Sequence, residues 1–208
     1  MIKKHIPNLL TSGNLFCGCI AIVEAFNGNL HISAYLVGLA AIFDFLDGFA
    51  ARLLKVQSPM GKELDSLADM VSFGLLPGII VYHLLLNLGD VLPHPYFAYV
   101  AFLIPIFSAL RLANFNIDTR QSDSFIGVPT PAVTLLIASF PLICLEANSQ
   151  ACLWINNIYF LTGITVLMSY LLVAELPLFA LKFKDVCDSI KRWLRTGVLS
   201  ASSLIQMK

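Results

Sequence analysis

Long apolar blocks recur along this chain, at approximately 8–26, 33–54, 63–86, 96–115, 129–146 and 153–174. Each is long enough for a helix to cross about 30 Å of hydrocarbon at roughly 1.5 Å per residue. Backbone polar groups in hydrocarbon must be satisfied internally, so such blocks fold as spanning helices. The expected fold is all-α: one domain over residues 1–208, a polytopic membrane bundle of about six transmembrane helices. Gly, Pro and Asn punctuate the blocks, as in Phe26-Asn27-Gly28-Asn29, Asn87-Leu88-Gly89-Asp90 and Pro93-His94-Pro95. The tail from about residue 177 starts apolar, then turns amphipathic around Ile190, Trp193 and Leu194, with Lys191, Arg192 and Arg195 opposite. It is expected to be a surface helix or a further span. The first block follows Lys3 and Lys4 but carries Asn8, Thr11 and Asn14 and no small-residue cleavage site, which argues against a cleaved signal peptide.

Charge is scarce and segregated. The 208 residues are 58% hydrophobic and 12% charged, with zero net charge. Soluble domains carry about twice that charge. Disordered proteins, basic nucleic-acid binders and most soluble enzymes are thereby excluded. Lys3 and Lys4 precede the first block. Arg52, Lys55 and Lys62 surround the second-to-third connection, and Arg111 and Arg120 flank the fourth-to-fifth. Lys182, Lys184, Lys191, Arg192, Arg195 and Lys208 follow the last block, and the opposite connections hold no Lys or Arg. The positive-inside rule then puts both termini on the cytoplasmic side of the cell membrane. Cys17 and Cys19 point to different helix faces and make a poor metal pair. Cys144 and Cys152 bracket an outer connection that a bridge can span. Small apolar packing is the expected role of the cysteines, and the scattered histidines fall near span ends.

The chemistry is concentrated in Asp44-Phe45-Leu46-Asp47-Gly48-Phe49-Ala50-Ala51-Arg52 and Gly61-Lys62-Glu63-Leu64-Asp65-Ser66-Leu67-Ala68-Asp69. Asp44 and Asp47 stand at i, i+3 on one helix face; Asp65 and Asp69 stand at i, i+4 on the next helix. A short connection makes the two helices antiparallel neighbours, so the carboxylates lie at similar depth near the cytoplasmic ends. A lone carboxylate in a membrane helix costs about 3 kcal/mol on insertion scales unless it is paired or metal-bound. Ion pairing with Arg52 and Lys62 is one solution, but two cations cannot neutralise four anions at one point. Ligation by oxygen alone, with no His or Cys nearby, suits a hard cation: Mg²⁺, Mn²⁺ or Ca²⁺. Four carboxylates suffice for two ions, an arrangement that serves phosphoryl transfer. Gly48 and Ala51 continue the Asp44/Asp47 stripe. They either leave room beside the metals or let helices pack closely. Arg52, one turn past Gly48, can pair with a phosphate oxygen. A divalent-cation transporter also uses intramembrane carboxylates, but it gives no reason for the Gly48, Ala51, Arg52 stripe.

The whole pattern, Asp-x₂-Asp-Gly-x₂-Ala-Arg-x₈-Gly-x₃-Asp-x₃-Asp, runs from Asp44 to Asp69. It resembles, at every position, the signature of the CDP-alcohol phosphotransferases. The resemblance implies a dimeric integral membrane enzyme that cleaves the diphosphate of a CDP-linked lipid, joins the phosphatidyl group to an alcohol and releases CMP. It further implies that Asp44, Asp47, Asp65 and Asp69 hold the metals, with Asp69 also the general base. Gly48, Ala51 and Arg52 would contact the cytidine nucleotide, with Ser58 and Gly61 nearby.

Three further segments bear on the alcohol. Asn8, Thr11 and Ser12 share a face of the first helix, with Asn14 at its edge; they either bond between helices or line the nucleotide pocket. Arg111-Leu112-Ala113-Asn114-Phe115-Asn116 ends the fourth block, and Gly127-Val128-Pro129-Thr130-Pro131-Ala132 begins the fifth. All three are similar to the phosphatidylserine synthase branch of the family more than to the phosphatidylglycerophosphate or inositol-phosphate branches. CDP-diacylglycerol and L-serine are then the expected substrates, with membrane lipids around the protein and no nucleic acid. Serine needs a cation for its carboxylate. Arg111 is the candidate and Asn114 a helper, unless Arg111 snorkels to the interface as a topology charge. Gly74 and Gly78 are at helix-packing spacing, for a dimer face or a contact within one subunit, and Pro77 between them predicts a kink.

Overall fold

A computed structural model describes residues 5–56, 58–117, 127–145 and 150–174. Its elements run α1 (His5–Phe26), α2 (Leu30–Leu54), α3 (Pro59–Asp69), a π-helical turn (Met70–Leu75) and α4 (Leu76–Leu86). Two 3₁₀ turns (Gly89–Val91, Pro95–Phe102) lead to α5 (Leu103–Ile117), α6 (Thr130–Ile143), α7 (Gln150–Ile155) and α8 (Ile158–Val173). Each of the six apolar blocks is therefore helical, and no strand occurs among the described residues. The stretches His5–Phe26, Leu30–Leu54, Pro59–Leu86 and Pro95–Ile117 are long and apolar enough to cross a membrane; Thr130–Ile143 and Ile158–Val173 are shorter apolar helices. Lys3, Lys4, Arg120 and the tail beyond 177 lie outside the described residues.

The last block departs from the continuous span expected from 153. It breaks at Asn156 and Asn157, where the Asn157 side chain accepts the N–H groups of Tyr159 and Phe160 and starts α8. A short amide side chain satisfies orphan N–H groups at a helix start, so it divides an apolar run that hydropathy reads as one.

α1 and α2 form an antiparallel pair joined at Gly28. Small buried residues face across it: Ala21 and Ala25 from α1, Ala34 and Ala40 from α2. Such residues let helix backbones approach closely. The opposite faces expose Leu9, Phe16, Tyr35, Ile42 and Leu53, apolar surface that hydrocarbon covers. The Pro59–Leu86 stretch is the central element, with 61% of its most apolar 18-residue window buried inside the bundle. Leu76, Ile80 and Leu85 from it pack among Ile104, Ile137, Leu161 and Leu172, while Phe73 packs with Cys17 of α1 and Ala40 of α2.

The disturbance expected at Pro77 takes the form of a change in helix type. The turn before it is π-helical, and the Leu76 N–H reaches back to the Val71 carbonyl. Gly74 and Gly78 pack within the subunit: a Cβ on Gly78 would meet Pro105 and the Ala101 carbonyl, and one on Gly74 would meet Met70 and Ser108. Gly127 requires glycine, because it has φ +79° and a Cβ there would sit 2.9 Å from the Leu172 carbonyl. The adjoining Val128 N–H donates to the Leu171 carbonyl at 3.2 Å. That bond pins the entry of α6 to the end of α8 and satisfies a carbonyl of its last turn.

Candidate active site

α2 and α3 meet through a four-residue turn, capped at α3 by the Ser58 side chain, which accepts the Gly61 N–H at 3.0 Å. Asp44 lies ten residues from the end of α2 and Asp69 ten from the start of α3, each about 15 Å along its helix. Asp47 and Asp65 lie nearer the turn. The four carboxylates therefore stack in two layers between the helices. One oxygen each from Asp44, Asp47 and Asp65 falls within 4.8 Å of the others. The Asp69 carboxyl group approaches that of Asp44 and accepts the Asn14 amide at 3.2 Å.

The neighbouring cations are engaged elsewhere. Arg52 turns back along its own helix, donating from Nε to the Gly48 carbonyl at 2.9 Å. Lys62 donates to the Asn116 carbonyl at 3.3 Å and lies over the Phe115 ring. Among the described residues no aspartate of the cluster forms an ion pair, and the buried atoms Asp47 Oδ2 and Asp65 Oδ1 have no hydrogen-bond partner. Orphaned buried carboxylate oxygens are costly. Oxygens each 2.0–2.6 Å from one cation stand at most about 4–5 Å apart, which this cluster satisfies. The residues fit a hard divalent cation, and ion pairing does not account for them.

One flank of the cluster is open. A Cβ built on Gly48 would meet nothing within 4 Å except Arg52 Nη2, at 3.7 Å. Among the described residues of the subunit no other helix therefore packs on Gly48, and room is left beside the cluster. The exposed Arg52 guanidinium lies beside that gap, bonded only to a neutral carbonyl. A phosphate oxygen would be a stronger, charge-assisted acceptor. Ala51 follows on the same helix, half-buried.

α1 closes another side. Thr11 and Asn14 are buried, and Thr11 bonds the Pro7 carbonyl at 3.0 Å while facing Asp47. Asn8 Oδ1 comes close to Gly61, 3.2 Å from where a Cβ would stand. Ser12 turns outward, bonding its own helix at Asn8. Asn8, Thr11 and Asn14 thus lie against the aspartate helices, and Ser12 turns away from them.

α5 supplies Arg111. It is 8% exposed, its Nε has no partner, and it lies within electrostatic reach of Asp69. It does not snorkel. Asn114 is exposed. Asn116, which the sequence did not single out, instead ties α5 to α3: its amide donates to Ser66 Oγ at 3.0 Å and its carbonyl holds Lys62. Both partners are some fifty residues away in sequence, and no spacing along either helix announces the pairing.

A bundle of long apolar helices with an uncompensated aspartate cluster beside an arginine-flanked gap fits a membrane enzyme that transfers a phosphoryl-linked group. The chain belongs to the CDP-alcohol phosphatidyltransferase family, whose model matches residues 4–180. It is 38% identical over 173 residues to the CDP-diacylglycerol–serine O-phosphatidyltransferase of Helicobacter pylori strain J99, covering 82% of this chain and 70% of that protein. The Bacillus subtilis strain 168 enzyme of the same name is 37% identical over 140 residues, 66% of this chain and 76% of the relative. An archaetidylserine synthase of Methanothermobacter thermautotrophicus is 34% identical over 142 residues, 66% of this chain and 58% of the relative.

Proposed function

We propose that this chain transfers the phosphatidyl group of CDP-diacylglycerol to the hydroxyl of L-serine, giving phosphatidylserine and CMP. The observation that carries the reading is the aspartate cluster without counter-ions, opening at Gly48 toward Arg52 and facing a buried Arg111. Serine as the acceptor is further supported by the names of the relatives.

Asp44, Asp47, Asp65 and Asp69 would hold two divalent ions, Mg²⁺ or Mn²⁺, with Ca²⁺ an admissible substitute. When bound, the ions neutralise charge on the diphosphate. The protein's own groups do the rest. Gly48, Ala51 and Arg52 receive the cytidine nucleotide and its phosphates, with Asn8, Thr11, Asn14, Ser58 and Gly61 around them. Arg111 holds the serine carboxylate, and the exposed Asn114 is the weaker half of that pair. Asp69 takes the proton of the serine hydroxyl as its oxygen attacks the phosphatidyl phosphorus. The bond from that phosphorus to the CMP oxygen breaks, and CMP leaves with the electron pair. In-line displacement of this kind needs positioning, a base and charge neutralisation rather than a covalent intermediate. The site opens to the cytoplasmic side, residues 1–208 form one domain, and the enzyme works as a homodimer.

Purified protein offered CDP-diacylglycerol, Mg²⁺ or Mn²⁺ and a panel of alcohols is expected to release CMP with serine. Release with glycerol 3-phosphate or inositol phosphate but not serine would move the acceptor. No release with any alcohol would overturn the enzyme reading. Gly48→Leu is expected to raise KM for CDP-diacylglycerol about tenfold, some 1.4 kcal/mol, with an unchanged unfolding midpoint. Loss of stability in place of affinity would return Gly48 to a packing role.

A further inference from the structure

The π-helical turn begins at the residue after Asp69, and two features of the chain account for it. Pro77 has no N–H to return to the Phe73 carbonyl one turn back. That carbonyl instead lies 2.8 Å from the hydroxyl of Thr134, a wholly buried residue of α6, which shares its hydrogen between this acceptor and the Thr130 carbonyl of its own helix at 2.9 Å. A π turn holds one residue more than an α turn, so it rotates the helix before it against the helix after it by about 100°. The helix after it is fixed: Leu76 to Val81 are all buried, and Gly78 packs on Pro105. The helix before it carries Asp65 and Asp69. The turn is clamped from the other side as well, by Ser72 Oγ donating to the Asn14 carbonyl at 3.1 Å. The amide of that same Asn14 reaches Asp69.

We propose that Pro77 and Thr134 are a positioning pair, which hold the π turn so that Asp69 faces Asp44 and the reacting hydroxyl. Neither touches substrate. The proposal rests on Asp69 acting as base and ligand. A merely structural Thr134 would only satisfy an orphan carbonyl, and the two roles separate experimentally.

The test uses the full chain in detergent, with CMP release, unfolding midpoint and Mn²⁺ binding by electron paramagnetic resonance as readouts. Thr134→Val is expected to lower kcat at least tenfold, with KM for CDP-diacylglycerol within twofold, and to weaken Mn²⁺ binding about tenfold, as loss of an outer-shell support does. Thr134→Ser keeps the hydroxyl and is expected to behave as wild type. Pro77→Ala with Thr134→Val restores an N–H for the Phe73 carbonyl, so the midpoint recovers while kcat and Mn²⁺ affinity stay low. Recovery of both in the double variant, or wild-type kcat in Thr134→Val, overturns the proposal. Should Thr134→Val not fold, Pro77→Ala alone decides, since wild-type kcat and Mn²⁺ affinity there overturn it equally. A wild-type protein that releases no CMP would instead defeat the transferase reading, and unchanged Mn²⁺ affinity in Pro77→Ala would then defeat this one separately.

Discussion

Asp69→Asn is expected to lower kcat by about 10²–10⁴-fold, the usual contribution of a positioned general base, while CDP-diacylglycerol still binds. The replacement keeps size and shape, and its amide oxygen can still accept the Asn14 bond that now reaches Asp69 at 3.2 Å. The three carboxylates that gather within 4.8 Å are Asp44, Asp47 and Asp65, so three of the four proposed ligands survive the change and Mn²⁺ affinity is expected to fall about tenfold without being lost. What is lost is the oxygen proposed to accept the serine proton as the new bond forms. Single-turnover CMP release and equilibrium binding of CDP-diacylglycerol, measured on the same preparation, separate the two functions. Equal losses in rate and binding would make Asp69 chiefly a metal ligand, and an unchanged rate would assign the base elsewhere. Asp47→Asn provides the contrast: its Oδ2 is buried and unpaired, so binding of Mn²⁺ and of substrate should fall with the rate.

The arrangement of these aspartates is partly legible in the sequence. Their spacings, i, i+3 on one helix and i, i+4 on the next, already put four carboxylates on facing stripes, and the short turn put them at one depth. Helix geometry alone does that. The fate of the cations was not visible. Arg52 curling onto the Gly48 carbonyl and Lys62 reaching Asn116 are choices among rotamers and partners, and only packing makes them. For the same reason Arg111 read equally well as a snorkelling charge: hydropathy measures a side chain and not its neighbours. Pro77 announced a disturbance, but its form depends on Thr134, which approaches from α6. Gly74 and Gly78 offered a close approach without saying to what, and Pro105 and Ser108 in the same subunit are the answer. Contacts within a turn of helix are legible as periodicity; those between distant helices are not.

Arg111 supports the second large effect. A guanidinium 8% exposed with an unpartnered Nε is an unfinished hydrogen-bond set in a costly place, and a planar carboxylate finishes it. Removing one partner of a buried charge pair costs about 3–5 kcal/mol, so Arg111→Ala is expected to lower kcat/KM for serine by ~10²–10³-fold. KM for CDP-diacylglycerol should change little, because Arg52 and the Gly48 gap lie on α2, away from α5. Arg111→Lys keeps the charge but loses the fork, and an intermediate value is expected. Ethanolamine, which is serine without the carboxylate, makes the assignment specific. The wild-type enzyme should strongly prefer serine, and Arg111→Ala should erase most of that preference by losing activity on serine alone. If activity on both alcohols falls together while CDP-diacylglycerol binding weakens, Arg111 serves the diphosphate, and the serine carboxylate must be held by a group outside α5.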